Sequence, residues 1–271
     1  MNDHVHALNG SIAHAWAARG TGSNHSLVNS TRGRILGSVL LSHRGLCGDF
    51  LVPMRGLELR MYPNYSRSER VADGSMHAIG LIGAISGAVL LLIWSRQAAS
   101  PWEMTAIAIY AITLIATFAA SAFYHMTPWE SIRPLLRRID HAAIYLKIAG
   151  TYTPLVVMIG NGLAYVILGI VWALAIIGIM LKLLFWSTPG RMGPALYLIM
   201  GWMSIILFWT SWSEVPFGFI AAGGLLYTVG VIFYAAKSLK FATAIWHGFV
   251  IAASACFFAA ITIGATQHGL V

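Results

Sequence analysis

From His77 onward the chain consists of long apolar segments separated by short polar breaks. An α-helix needs ~20 residues to cross a hydrocarbon core of ~30 Å, and these segments are close to that length or longer. Gly83 and Gly87 form a GxxxG pair, which predicts close helix packing. We predict seven transmembrane helices, over residues 77–95, 102–125, 140–159, 163–185, 193–211, 215–236 and 243–266. The fold class is therefore predicted as an all-α membrane protein, a seven-helix bundle over residues 69–271.

Residues 1–68 differ from the rest, because they mix Gly, Ser, Asn, His and Arg without a sustained period. Their longest apolar stretch, Ile35 to Leu41, is too short to span a bilayer. Two interpretations are open. The segment is a disordered cytoplasmic extension, or translation starts at Met54 or Met61 and the upstream residues are an over-called reading frame.

Composition supports the membrane assignment. The chain is 58% hydrophobic and only 10% charged, whereas soluble domains carry about 25% charged residues. The net charge of +8 is explained by basic residues at helix ends, because no basic stripe is interleaved with aromatic residues as nucleic-acid binding would need. We expect membrane lipids, and no nucleic acid, as partners.

The distribution of Lys and Arg between the predicted helices predicts the orientation. Eight lie before the first helix, and the third and fifth connections and the C-terminal tail have none. The second, fourth and sixth connections carry the remaining clusters: Arg133, Arg137 and Arg138; Lys182 and Arg191; Lys237 and Lys240. This alternation predicts a cytoplasmic N-terminus, an external C-terminus and a location in the plasma (inner) membrane.

Ionisable residues inside membrane helices are expensive and are functional candidates. His125 closes the second predicted helix, with Ser121 one turn before it. Asp140 begins the third helix and His247 lies near the start of the seventh. The predicted topology places these four residues, together with His77, in the inner half of the bilayer. Imidazoles with a nearby carboxylate suit Zn²⁺, so His125 and His247 are predicted metal ligands.

Two other ionisable residues are interpreted differently. His77, at the very start of the first predicted helix, is expected to lie in the membrane interface. Lys147 lies near the same face of its helix as Asp140, so we expect it to pair with that carboxylate or to reach the interface. The sequence contains no P-loop and no dinucleotide-binding glycine motif after a predicted strand, so no nucleotide cofactor is predicted.

Several ordered motifs resemble the hemolysin III family, the bacterial branch of the progestin and adiponectin receptor superfamily. The resemblance covers roughly residues 69 to 266 and also includes His77. The matching segments are Ser121-Ala-Phe-Tyr-His125, Ile139-Asp-His-Ala-Ala-Ile-Tyr145, Ile148-Ala-Gly-Thr-Tyr-Thr-Pro154, Ala222-Gly-Gly-Leu-Leu-Tyr-Thr-Val-Gly230, Ile232-Phe-Tyr234 and Ala244-Ile-Trp-His-Gly-Phe-Val250.

The resemblance implies a seven-helix bundle with a zinc ion near the cytoplasmic side. It implies zinc ligands at His125 and at two histidines of a His-x-x-x-His motif on the last helix, with Asp140 close by through a water. The last-helix motif of this chain departs from the family, because Thr243 replaces its first histidine and only His247 remains. A threonine hydroxyl is a poor zinc ligand. Asp140 or His77 supplies the third ligand, or the site is weak or empty.

Three functions are consistent with this pattern. The first is a zinc-dependent hydrolase of lipid amides or esters, because the superfamily is similar to the alkaline ceramidases. In it Asp140 would orient the attacking water and take its proton, and Ser121 would hydrogen-bond the water or the developing oxyanion. The second is a non-catalytic membrane sensor with a structural metal or none. The third is a cytolysin, which the nearly apolar outer half of the bundle disfavours.

Overall fold

The computed structural model of the chain describes residues 65–97, 99–184, 192–205, 207, 216–236 and 238–267. These residues contain α-helices and no strand. Six of the helices are long and apolar enough to cross a membrane, and α5 is the shorter exception. The chain is therefore an all-α, multi-pass membrane protein. The helices are α1 (Arg67–Ser95), α2 (Pro101–Met126), α3 (Arg133–Ile159), α4 (Gly162–Leu184), α5 (Met192–Trp202), α6 (Phe217–Ala235) and α7 (Ala242–Gln267).

Two helices begin earlier than their apolar segments predict. α1 begins at Arg67, because Ser66 and Glu69 form a capping box at its first turn. The Ser66 hydroxyl accepts from the Glu69 N–H (3.3 Å), and the Glu69 carboxylate accepts from the Ser66 N–H (2.9 Å). α3 begins at Arg133, with a proline in its first turn. Apolarity marks the membrane core, whereas capping residues mark where the helix begins.

Parts of the prediction lie outside the described residues. These parts are residues 1–64 and much of the predicted fifth span over 193–211, of which α5 and the few residues after it are described. Predicted helices two, four, six and seven agree with α2, α4, α6 and α7 to within a few residues.

The central helix of the bundle is α3. It packs against α2, α4, α5 and α7. Of the residues in its apolar 18-residue stretch 78% are buried, against at most 44% in the other five membrane-length helices. α1 packs against α2 and α7. The outer faces carry large apolar side chains such as Ile82 and Ile112, which are about two-thirds exposed and suit contact with lipid.

Glycines bring α1 close to its neighbours, but not through the predicted GxxxG pair. A Cβ added at Gly80 would lie 2.6 Å from the Phe118 ring of α2, and one at Gly87 would lie 3.2 Å from the Phe258 ring of α7. Nothing lies within 4 Å of a Cβ at Gly83. The contact stripe therefore joins Gly80 and Gly87, two turns apart, and the prediction for Gly83 is wrong. Close approach at Gly80 places the preceding turn of α1 beside α2 and α7.

Candidate metal centre

That turn of α1 carries half of a buried polar cluster. Asp73 and His77 are four residues apart on α1 and therefore share a face. His125 comes from the last turn of α2, and His247 from the second turn of α7. Each of the four residues offers one ligand atom, and these atoms lie within 4.8 Å of one another. Three helices thus build one cluster, which we call the Asp/His cluster.

The Asp73 carboxylate holds two of the three imidazoles. His247 Nδ1 donates to Asp73 Oδ1 at 2.7 Å, and His125 Nδ1 donates to Asp73 Oδ2 at 3.0 Å. An ionised carboxylate only accepts hydrogen bonds, so each Nδ1 carries the proton. In the neutral ring the lone pair is then on Nε2, which is the arrangement of histidines that bind a metal through Nε2 while a carboxylate orients them.

His77 completes the ring of imidazoles. Its Nε2 is 3.6 Å from Asp73 Oδ1, which is too long for a hydrogen bond. Within the described residues this buried nitrogen has no hydrogen-bond partner. The ring centre of His77 is 4.3 Å from that of His247 and 4.7 Å from that of His125. A buried nitrogen without a partner is costly, and a bound metal ion would satisfy it.

The donor set fits a metal ion in charge as well as in geometry. A bound cation would balance the negative charge of the buried Asp73 carboxylate. Ligand atoms around a tetrahedral ion at 2.0–2.1 Å lie roughly 3.3 Å apart. A group spread over 4.8 Å would therefore contract by small side-chain movements on binding. The cluster can hold a metal ion.

The structure brings the two predicted metal ligands, His125 and His247, into one cluster. Their role as ligands stays a prediction. The interfacial position expected for His77 is wrong, since the residue is only 3% exposed and faces both of the other imidazoles. Sequence reasoning missed Asp73, because it precedes the apolar segment. The spacing Asp73-x-x-x-His77, one helical turn, was the signal that could have found it.

The two predicted catalytic residues lie outside the Asp/His cluster. Asp140, on α3, is half-buried, and its Oδ2 is 3.5 Å from Nδ1 of its neighbour His141. Ser121 is half-buried on α2, one turn before His125. Their catalytic roles stay predictions. Thr243, at the position of the missing family histidine, shares a hydrogen bond of 2.8 Å with the Tyr65 hydroxyl.

Lys147 lies away from Asp140, contrary to the pairing or interfacial position expected from sequence. Its Nζ donates to Ser254 Oγ of α7 at 2.6 Å, and the side chain is buried. The ammonium also lies over the rings of Phe118 (4.8 Å) and Tyr227 (5.3 Å). Cation–π contact and one hydroxyl thus stabilise this charge in the middle of the bundle.

Fold and cluster together define a class: a multi-pass helical membrane protein with a candidate metal centre inside the bundle. Residues 65–258 match the family described as Haemolysin-III related. The chain belongs to that family, which confirms the resemblance found from its motifs.

Several relatives share most of their length with this chain. It is 35% identical to the Hemolysin-3 homolog of Bacillus subtilis (strain 168) over 198 residues, covering 72% of this chain and 93% of the relative. It is 34% identical to Hemolysin-3 of Bacillus cereus over 194 residues, 70% and 89% of the two chains. It is 30% identical to the human Monocyte to macrophage differentiation factor over 202 residues, 71% and 83%.

Proposed function

We propose that the protein is a zinc-dependent hydrolase that cleaves an amide or ester bond of a membrane lipid. The observation that carries the proposal is the meeting of three imidazoles and one carboxylate inside the bundle. Catalytic zinc sites use three protein ligands and keep a fourth position open, whereas structural sites are closed by four. Three histidines with an orienting carboxylate match the catalytic pattern.

In this proposal His77, His125 and His247 hold the zinc ion. When bound, zinc supplies a Lewis acid that polarises a carbonyl and lowers the pKa of water to about 7. Asp73 fixes the tautomer and the orientation of His125 and His247 through their Nδ1 protons. Thr243 stands at the position of the family histidine, and with His77 of α1 the set still contains three imidazoles.

Proton transfer needs a second carboxylate. Both oxygens of Asp73 already accept from imidazoles, so this residue is poorly placed to take a proton from the attacking water. We assign that role to Asp140, whose carboxylate lies on the neighbouring α3, and assign Ser121 to donate to the oxyanion that develops on the substrate. A bound lipid would have to bring the scissile carbonyl between these residues.

We also propose that the protein lies in the plasma membrane and crosses it seven times, with its N-terminus in the cytoplasm. The start of α1, the end of α2 and the start of α7 meet at the Asp/His cluster, so these helix ends share one side of the bundle. The basic residues of the connections support the cytoplasmic assignment of that side. A reporter active only outside the cytoplasm, fused to the C-terminus, should be active; activity only of a cytoplasmic reporter would contradict the topology.

The test of the hydrolase combines metal content with turnover. The full chain is purified in detergent, and zinc per chain is measured by mass spectrometry beside release of fatty acid from ceramide and glycerophospholipids. We expect zinc near one per chain, and loss of both zinc and turnover in His125→Ala and His247→Ala. Thr262→Ala is a control, because its hydroxyl donates within its own helix α7, to the Phe258 carbonyl at 2.8 Å. Full turnover in His125→Ala, or in the chelated protein, contradicts the proposal.

The second candidate is a non-catalytic membrane sensor with a structural metal. Asp73 is near enough to the three imidazoles to act as a fourth protein ligand, and a four-ligand site is typical of structural zinc. In that case the metal raises the unfolding temperature and no lipid is hydrolysed. Asp73→Asn separates the two candidates further, since loss of a ligand reduces zinc affinity more than loss of an orienting group.

A further inference from the structure

The outer side of α1 carries a groove next to the Asp/His cluster. The groove has a volume of about 570 Å³ and runs between α1 and the end of α2. Its lining includes Arg67, Arg70, Val71, Gly74, Ala78 and Met126. Most of these side chains are exposed, so the groove opens towards the surroundings of the bundle.

The groove has a cationic end and an apolar wall. Arg67 and Arg70 are three residues apart and therefore neighbours on the helix surface. Neither guanidinium pairs with a carboxylate in the part of the chain that the structure describes. Val71 and Met126, 61% and 55% exposed, and Ala78 form the apolar wall. Planar guanidinium groups match the oxygens of a phosphate, often through two parallel hydrogen bonds.

The groove lies next to the Asp/His cluster along two helices. Gly74 has no side chain, and a Cβ there would lie 3.0 Å from Cε of Met126. Gly74 directly follows Asp73 and Met126 directly follows His125, and those two residues hydrogen-bond to each other at 3.0 Å. Two residues of the groove lining are therefore the chain neighbours of two cluster residues.

The length of the groove matches the order of groups in a phospholipid. A helix rises 1.5 Å per residue, so Gly74 lies about 6 Å deeper than Arg70. In a glycerophospholipid the acyl ester groups lie just below the phosphate, and the chains follow. A phosphate at the arginines would therefore place an ester beside Gly74, and a chain along Ala78 and Met126.

We infer that this groove binds an anionic glycerophospholipid and is its lateral entry to the Asp/His cluster. The inference deepens the proposed hydrolase and, as regards entry, rests on it. Arginines at a cytoplasmic helix end attract any anionic membrane surface. A specific binding site differs from such a charged surface, because its apolar wall must also contribute to the binding of the lipid.

The test measures lipid binding directly. The full chain is delipidated in detergent, given equal amounts of phosphatidylglycerol and phosphatidylcholine, and analysed by native mass spectrometry. We expect preferential retention of phosphatidylglycerol, reduced at least about tenfold in the double variant Arg67→Gln/Arg70→Gln. Ala78→Trp, which fills the groove, should reduce it similarly without changing the charge.

Two matched controls separate the site from general effects. Arg96→Gln removes an exposed arginine at the opposite end of α1, and Ile82→Trp adds bulk at a 65% exposed residue one turn beyond Ala78 and outside the lining. Both should keep the selectivity. Equal retention of the two lipids, retention of neither, or an equal loss in the control variants overturns the inference.

Failure of the groove is distinguishable from failure of the hydrolase. Zinc content and lipid hydrolysis are measured on the same samples. Selective retention of phosphatidylglycerol without any hydrolysis supports the binding site and removes the proposed reaction. Hydrolysis that proceeds equally well on the neutral lipid, and in Ala78→Trp, refutes the groove as the lipid site and is compatible with the proposed hydrolase.

Discussion

His77→Ala is the sharpest test of the metal centre, because the family motif alone does not assign this residue as a ligand. Zinc-finger sites bind Zn²⁺ with about 10–16 kcal/mol from four ligands, so one ligand contributes about 2.5–4 kcal/mol. At 1.4 kcal/mol per factor of ten, loss of His77 should weaken zinc binding by about 100- to 1000-fold. His77 is buried and its Nε2 has no hydrogen bond to lose among the described residues. The loss should therefore appear in metal affinity more than in folding.

The assay is competition with a chromogenic chelator, on detergent-purified protein whose folding is checked by circular dichroism. His141→Ala is the control, because His141 is a half-buried histidine that bonds the Arg137 carbonyl at 2.8 Å, outside the cluster. Thr243→His in the His77→Ala background should recover part of the affinity, since residue 243 lies one turn before His247. Unchanged zinc affinity in His77→Ala would refute the assignment of three imidazole ligands.

Three further predictions concern the cluster and its supports. Asp73→Asn should lower zinc affinity by about 10- to 100-fold, as expected for an orienting group; chelator competition measures it, and no change would contradict the role. Lys147→Met should change the free energy of unfolding by at most about 1 kcal/mol, because Lys147 forms no ion pair among the described residues. Ser254→Ala should cost about 1–3 kcal/mol by removing the acceptor of Nζ. Chemical denaturation measures both, and the reverse order would be contrary evidence. Gly178→Ala should destabilise the folded protein by about 1–3 kcal/mol, since its Cβ would lie 2.6 Å from the Tyr145 ring. Gly83→Ala should not, because nothing lies within 4 Å of a Cβ there. Equal unfolding temperatures of the two variants would disprove this packing.

Much of the architecture is written in local sequence. Long apolar segments can be stable only as helices in lipid, because each backbone group must find its partner within the segment. Predicted helices therefore agree with α2, α4, α6 and α7. The motif residues His125 and His247 were also recognisable from sequence, because an ionisable side chain is rare and costly inside an apolar segment.

The starts of α1 and α3 were harder to predict, because in both helices the apolar pattern begins several residues after the helix does. The first turns of α1 are polar and stabilised by the Ser66–Glu69 capping box. Asp73 lies in those turns, which explains why a search confined to apolar segments missed it. A search for capping residues upstream of each segment would have extended α1 and exposed the pair with His77.

Helix contacts decided the rest. Gly80, not Gly83, faces a neighbouring helix, and helical periodicity alone cannot tell which of several small residues does so. With Gly80 against its neighbours, His77, three residues earlier, faces the imidazoles of two other helices. Lys147 contacts Ser254 of α7 rather than Asp140 of its own helix. Sequence determined which segments are long and apolar enough to cross a membrane and which side chains are costly there. Only the packing of helices distant in sequence decided which of those side chains meet, because side-chain contacts between helices depend on their rotation and depth.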